Sequence, residues 1–186
     1  NDWIFDVSIT ANRPDCQSIF GLAREVAAAL GQPLKTPALD YTETEVEKEG
    51  FEVTVDAQDL CPRYIAHYVY DVKLGQSPAW MRRRLALVGN NSISNIVDIT
   101  NYIMRELGQP LHAFDCNFLE GNAIQVRRAN EGEKIVTLDE KEFTLNPNNL
   151  VICDGKKPVA LAGIMGGLNS EIRDTTTEVM FESAKF

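Results

Sequence analysis

Few residues in this chain are suited to chemistry. The 186 residues hold two histidines, His67 and His112, and four cysteines, Cys16, Cys61, Cys116 and Cys153. His112 lies in Gly108-Gln109-Pro110-Leu111-His112-Ala113-Phe114-Asp115, where the turn at Gly108 can fold it back towards Asn101. Thr100 and Asn101 are polar, poor helix formers that interrupt an otherwise apolar helical run. Glu182 is the one carboxylate in Val179-Met180-Phe181-Glu182-Ser183-Ala184. Gly163-Ile164-Met165-Gly166-Gly167 follows an apolar strand, as many ligand-binding turns do. A histidine among apolar neighbours is also often a satisfied core residue, and strand alternation can aim Glu182 at water. The glycines fit a tight turn needing positive φ, or a backbone that lets a ligand approach and donates N–H groups to it. The residues alone therefore define a polar set beside a glycine turn without fixing its use.

Several chemistries are excluded by pattern. The chain has no Gly-x-Ser-x-Gly elbow and no His-Glu-x-x-His, and the glycine turn lacks the Lys-Ser/Thr of a phosphate loop. No Cys-x-x-Cys occurs, so no metal site is expected. The cysteines are read as reduced thiols of a cytoplasmic protein, because a chain this long buries an adequate core without disulfides. Net charge is −9, which argues against a surface that grips nucleic-acid backbone over a wide area, though not against one that accepts only an RNA tip. Arg82-Arg83-Arg84 and Arg127-Arg128, the basic clusters, are expected on solvated faces. No apolar run reaches the roughly 20 residues of a membrane span.

The elements that must position these residues follow from periodicity. A helix is expected from Cys16 to Leu30, capped by Asp15 and stopped by Gly31 and Pro33. A Thr- and Glu-rich stretch near residues 35–50 is the expected internal boundary. Strands are expected over Phe51–Val55 and Arg63–Val72. Ser77-Pro78 reads as a cap with Pro at the first helical position, opening a short helix that ends at Gly89. A longer helix is expected from Ile93 to Leu107. After it come short strands over 123–128, 134–138, 142–145, 150–153, 159–164 and 178–182. Helices first and strands later indicate α+β, drawn as a strand-rich sandwich or partial barrel with helices packed against it. Both ends read as cut from a longer chain.

Four motifs, in order, carry a resemblance. Thr10-Ala11-Asn12-Arg13-Pro14-Asp15-Cys16 with the helix after it, Asn95-Ile96-Val97-Asp98-Ile99-Thr100-Asn101-Tyr102 with Gly108 to Asp115, Gly163 to Gly167, and Phe181 to Phe186 are similar to the B3/B4 editing region of the bacterial-type phenylalanyl-tRNA synthetase β subunit. Ala11 stands where that family commonly has Pro. The resemblance implies that residues 1–186 form an internal editing module of a longer ligase chain, hydrolysing tyrosyl-tRNA(Phe). It carries the family's pocket residues onto Thr100, Asn101, His112, Gly166, Gly167 and Glu182. Glu182 would accept a hydrogen bond from the tyrosine hydroxyl, and His112 and Asn101 would position the ester and the attacking water. The glycine backbone would line the amino-acid pocket. The implied partners are the 3′ end of phenylalanine tRNA, the α subunit and the remaining β-subunit domains, with no membrane. No cofactor is implied for this segment; ATP and Mg2+ belong to the complete ligase. A further pocket wall is implied in the family segment that follows Phe186. Two other readings are an architectural or tRNA-positioning module and a free-standing deacylase acting in trans.

The chemistry suits such a site. A phenylalanine pocket rejects an added hydroxyl by only about 10², whereas a site that requires the hydroxyl reaches about 10⁴–10⁵. The bond cleaved is an activated ester, so a positioned water suffices without a covalent nucleophile.

Overall fold

In a computed structural model of the chain, which describes residues 3–43 and 49–186, the fold divides into two compact units. Asn1–Val46 with Gln76–Pro110 forms one, and Glu47–Gly75 with Leu111–Phe186 forms the other. The boundary stretch expected near 35–50 lies in part, at 44–48, outside the described residues.

The first unit is helical. Its helices are α1 (Ile19–Leu30), α2 (Ala79–Leu87) and α3 (Asn95–Leu107). α1 starts later than its periodicity suggests, because Pro14–Cys16 forms a separate 3-10 turn. Its cap is Ser18, whose Oγ accepts from the Gly21 N–H at 3.0 Å, and not Asp15. Asp15 is held by Arg13 instead. α2 likewise lacks the expected Ser77 cap: Ser77 donates to Asp98 Oδ2 at 2.5 Å. α3 is capped by Ser94 and ends at Gly108, whose φ of 83° is the left-handed conformation that glycine adopts without a Cβ penalty. Asp98, fully buried, also accepts from Ser92 Oγ at 2.5 Å and from the Ile93 N–H at 2.8 Å, tying the loop before α3 to the helix.

The second unit is three β layers. Its strands are β1 (Glu52–Val55), β2 (Arg63–Val69), β3 (Leu111–Asp115), β4 (Ala123–Arg128), β5 (Lys134–Val136), β6 (Glu142–Thr144), β7 (Leu150–Cys153), β8 (Pro158–Leu161), β9 (Met165–Gly166) and β10 (Val179–Lys185). The central sheet runs β1-β4-β7-β8-β9, with β1 and β4 parallel and the rest antiparallel. Its register puts Val126, Ile152 and Ala160 on one face, in the core cluster that also holds Phe114 and Met180 of the sheet β2-β10-β3. Val151 and Leu161 face the other way, in a cluster with Ile135 of the β5-β6 hairpin. Being covered on both faces explains why β7 and β8 read as unbroken apolar runs and not as alternation. The architecture is α+β with open, unclosed sheets.

Two strands escape the periodicity reading, β3 and β9. β3 is paired along its whole length with β10, whose residues lie far along the chain, so its conformation is set by tertiary pairing and not by its own composition. β9 is two residues long.

Candidate active site

Thr100 and Asn101 stand half-buried on α3, in the helical unit. Thr100 Oγ1 donates to the Val97 carbonyl at 2.7 Å, a bond within its own helix. His112, Gly166, Gly167 and Glu182 belong to the strand-rich unit, on β3, on β9 and its continuation, and on β10. The geometry below is that of this second unit.

Glu182 pairs with His112 on one side and Ala66 on the other in the β2-β10-β3 sheet. Residues directly opposite in antiparallel strands project from the same face, so Glu182 and His112 share the face that carries Met180 and Phe114 into the core. Glu182 is 7% exposed. Its Oε2 accepts a hydrogen bond from the Tyr64 hydroxyl at 3.0 Å, the one hydrogen bond it makes among the described residues. Burial pushes its carboxyl up to about 7 against a restraining effect of the Tyr64 bond. Burial and the facing carboxylate together push the Tyr64 phenol well above its usual range, so Tyr64 is a donor. Near neutral pH the carboxyl therefore exists in both forms.

The His112 ring packs edge-on against Phe114 at 4.6 Å and 74°. Burial pulls it down to about 4, so at neutral pH it is an uncharged imidazole. Neither ring nitrogen makes a hydrogen bond among the described residues. Gly166 lies against it: a Cβ there would collide with His112 Cε1 and sit 2.6 Å from Nε2. Glycine at 166 is thus demanded by close approach, whereas positive φ is found at Gly163 (68°), where the chain turns from β8 to β9. Gly167 does not offer its N–H to a ligand, because it donates to the Val159 carbonyl at 2.7 Å. The Gly166 carbonyl is also engaged, accepting from the Leu138 N–H at 3.0 Å.

The sequence reading missed Tyr64. Its signal is visible in Tyr64, Ala66 and Tyr68 at alternate positions of β2, since a phenol on a core-facing strand needs a hydrogen-bond partner. Among the described residues one group of metal-capable side chains converges, Asp15, Cys16 and Glu25 of the helical unit. Arg13 neutralises it, at 2.9 Å from Asp15 Oδ2 and 2.6 Å from Glu25 Oε1. The Arg13 hydrogen bond holds the Asp15 carboxyl at about 2. All four cysteines are buried and outside any disulfide. Among the described residues, no helix is long and apolar enough to cross a membrane.

The buried carboxyl, the neutral imidazole opposite it and the glycine strand all lie in one α+β unit. Residues 60–186 match the B3/4 domain family model, and the chain belongs to that family. Along its whole length it is similar to phenylalanine–tRNA ligase β subunits. It is 57% identical over 189 residues to that of Syntrophus aciditrophicus, 52% over 187 residues to that of Bdellovibrio bacteriovorus and 50% over 186 residues to that of Geobacter sulfurreducens. Each comparison covers all of this chain and 23% of the relative, so the chain spans about a quarter of the length of these relatives. A crystal structure of an N-terminal fragment of the phenylalanyl-tRNA synthetase β subunit from Pyrococcus horikoshii shares the fold. Its TM-score is 0.54 at 17% identity, over 93% of this chain and 52% of that one.

Proposed function

We propose that this chain is the editing module of a cytoplasmic phenylalanine–tRNA ligase β subunit, hydrolysing the ester of tyrosyl-tRNA(Phe). The observation that carries the reading is Glu182: a buried carboxyl with one hydrogen bond, from Tyr64, on the same sheet face as His112. Tyr64 occupies Oε2, so Oε1 is the acceptor left for a substrate phenol. Phenylalanine offers no donor there, and a buried polar group left unmet costs roughly 1–3 kcal/mol, more when charged.

In the reaction a water attacks the ester carbonyl, and the tetrahedral intermediate collapses to free tyrosine and the RNA hydroxyl. An imidazole held at about 4 is a weak base. His112 therefore orients the water through an unpaired ring nitrogen and does not carry its proton away. Thr100 and Asn101 are assigned to ester positioning by the family resemblance. In the complete ligase, the α subunit, the other β-subunit domains, ATP and Mg2+ serve aminoacylation. The RNA partner is the 3′ end of phenylalanine tRNA.

The test is deacylation of tyrosyl- and phenylalanyl-tRNA by the complete ligase and its Glu182→Ala variant. Preference for the tyrosyl ester should fall at least tenfold, and an unchanged preference would remove Glu182 from recognition. A wild-type ligase with no deacylation would favour an architectural role instead.

A further inference from the structure

A cleft of about 440 Å3 opens in the strand-rich unit next to the segment that flanks His112. Its lining includes Lys134 of β5, Lys157 just before β8, Leu168 and Asn169 just after β9, and Arg173. Three cations from three parts of the chain meet there, although the whole chain carries −9.

The cations differ in availability. Arg173 stacks its guanidinium on the Phe118 ring, 4.3 Å from the centroid, and makes no ion pair among the described residues. A guanidinium stacked on a ring keeps its N–H edge free for a two-point bond to phosphate. Lys157 is fixed by Glu120 and by Asp154 Oδ2, the latter at 3.2 Å. Asp154 also accepts from the Lys156 and Lys157 N–H groups at 2.8 Å, which pins the loop. Lys134 pairs at 2.7 Å with Glu142, but both side chains are more than half exposed, and such a pair is weak and easily exchanged. At the floor, Asn169 Nδ2 donates to the Pro158 carbonyl at 3.0 Å, an arrangement that leaves its buried Oδ1 without a donor.

Continuity with the proposed site identifies the ligand. Gly166 touches His112, and Asn169 is three residues on, at most about 11 Å along the chain. A strand of RNA whose terminal ester reached His112 and which continued along Leu168 and Asn169 would bring its neighbouring phosphates to this cleft. We propose that the cleft is a phosphodiester subsite, with Arg173 as its principal contact and Lys157 and Lys134 beside it, that docks the single-stranded 3′ end of the charged RNA. This inference rests on the editing reading.

The experiment uses the complete ligase with Arg173→Gln, Arg173→Glu and Lys157→Gln. For deacylation of tyrosyl-tRNA, KM should rise about tenfold in Arg173→Gln and further in Arg173→Glu, with kcat unchanged. The slope of log KM against log salt should fall by about 0.7, the value for one phosphate contact on a single strand. Hydrolysis of tyrosine methyl ester, which has no phosphate, should not change. Unaltered KM and slope in both Arg173 variants would overturn the inference while leaving the editing reading intact. If wild type deacylates nothing, fluorescence anisotropy of a short labelled oligoribonucleotide still decides: binding should weaken in Arg173→Gln, and equal binding overturns the subsite. Competition by inorganic phosphate as effective as that by unlabelled oligoribonucleotide would reduce the cleft to a simple anion site and overturn the RNA assignment.

Discussion

Glu182 and His112 stand directly opposite each other on β10 and β3, yet no side-chain hydrogen bond or ion pair joins them. A carboxylate and an imidazolium so placed would normally attract and hold both charges. Here burial acts against both charged forms, raising the acid to about 7 and lowering the base to about 4. Each group is left with capacity for a ligand, the carboxyl at Oε1 and the imidazole at its nitrogens.

Recognition should therefore depend on pH. An ionised carboxylate accepts a phenol hydrogen bond more strongly than a neutral carboxyl. Preference for tyrosyl over phenylalanyl ester should rise from pH 6 to pH 8 with a midpoint near 7, the value burial gives Glu182. Glu182→Gln should flatten that rise. A pH-independent preference in wild type, measured as the ratio of kcat/KM values, would contradict this account.

Stability gives a separate reading of the same pair. The folded pKa of Glu182 lies above its ordinary 4.5, at about 7, so its contribution is fully present below 4.5 and is lost as pH rises through 7. The folded pKa of His112 lies below its ordinary 6.5, at about 4, so its contribution is present above 6.5 and lost as pH falls through 4. The two slopes oppose each other across nearly the same window. Urea unfolding between pH 4 and 7 should show Glu182→Gln losing stability towards acid more steeply than wild type. The same variant should exceed wild type at pH 8 by on the order of 3 kcal/mol. Parallel profiles for the two proteins would refute the raised carboxyl.

Gly166→Ala tests the close approach. The new Cβ would meet His112 Cε1 and Nε2, and Leu138 Cδ1 at 3.1 Å. The ring must then move, and a displacement of about 1 Å in a positioning group costs about 10² in rate. Stability should fall by about 1–3 kcal/mol through overpacking. A variant with wild-type deacylation would show that His112 does not need its present place.

Asp98→Ala addresses the helical unit. Burial alone would raise this carboxyl, but bonds from Ser77, Ser92 and the Ile93 N–H outweigh it and hold it low. Removing it leaves two hydroxyls and an N–H without their acceptor, a loss of about 3 kcal/mol in thermal or urea unfolding at pH 7. Because the folded pKa is depressed, the deficit should shrink as pH falls through the carboxylate range. A deficit that persisted unchanged at pH 3 would point to packing and not to the charge.

The α+β class was legible because α1, α3 and the strands β1, β2, β4 and β7 carry their own patterns. What stayed hidden was decided by distant contacts. Asp15 and Ser77 both look like caps, yet each is claimed by another side chain, Arg13 or Asp98, that local spacing does not reveal. β3 forms only by pairing with β10. Of the site, His112, Gly166 and Glu182 were named from motifs. Glycine at 166 follows from a collision with His112 that no turn pattern encodes. Tyr64 escaped because its partner is 118 positions away in sequence.

Tyr64→Phe separates the phenol from the ring that carries it. The ring should keep its packing beside Ala66 and Tyr68, while the Glu182 carboxyl loses the one hydrogen bond it makes among the described residues. That bond lowers the Glu182 carboxyl against burial, so removing it should move the pH midpoint of ester preference above 7. Cys61 and His112 are the other titratable groups around this carboxyl, and burial keeps both uncharged at that pH. Losing a hydrogen bond to a charged group should also cost about 1.5–3 kcal/mol above the midpoint and less below it. A Glu182→Gln background settles whether the two residues act together. Adding Tyr64→Phe there should leave the flattened profile unchanged, because no carboxylate remains to be tuned. If Tyr64→Phe altered preference equally in both backgrounds, Tyr64 would be shaping the pocket wall on its own account and the pairing seen across β2 and β10 would be structural.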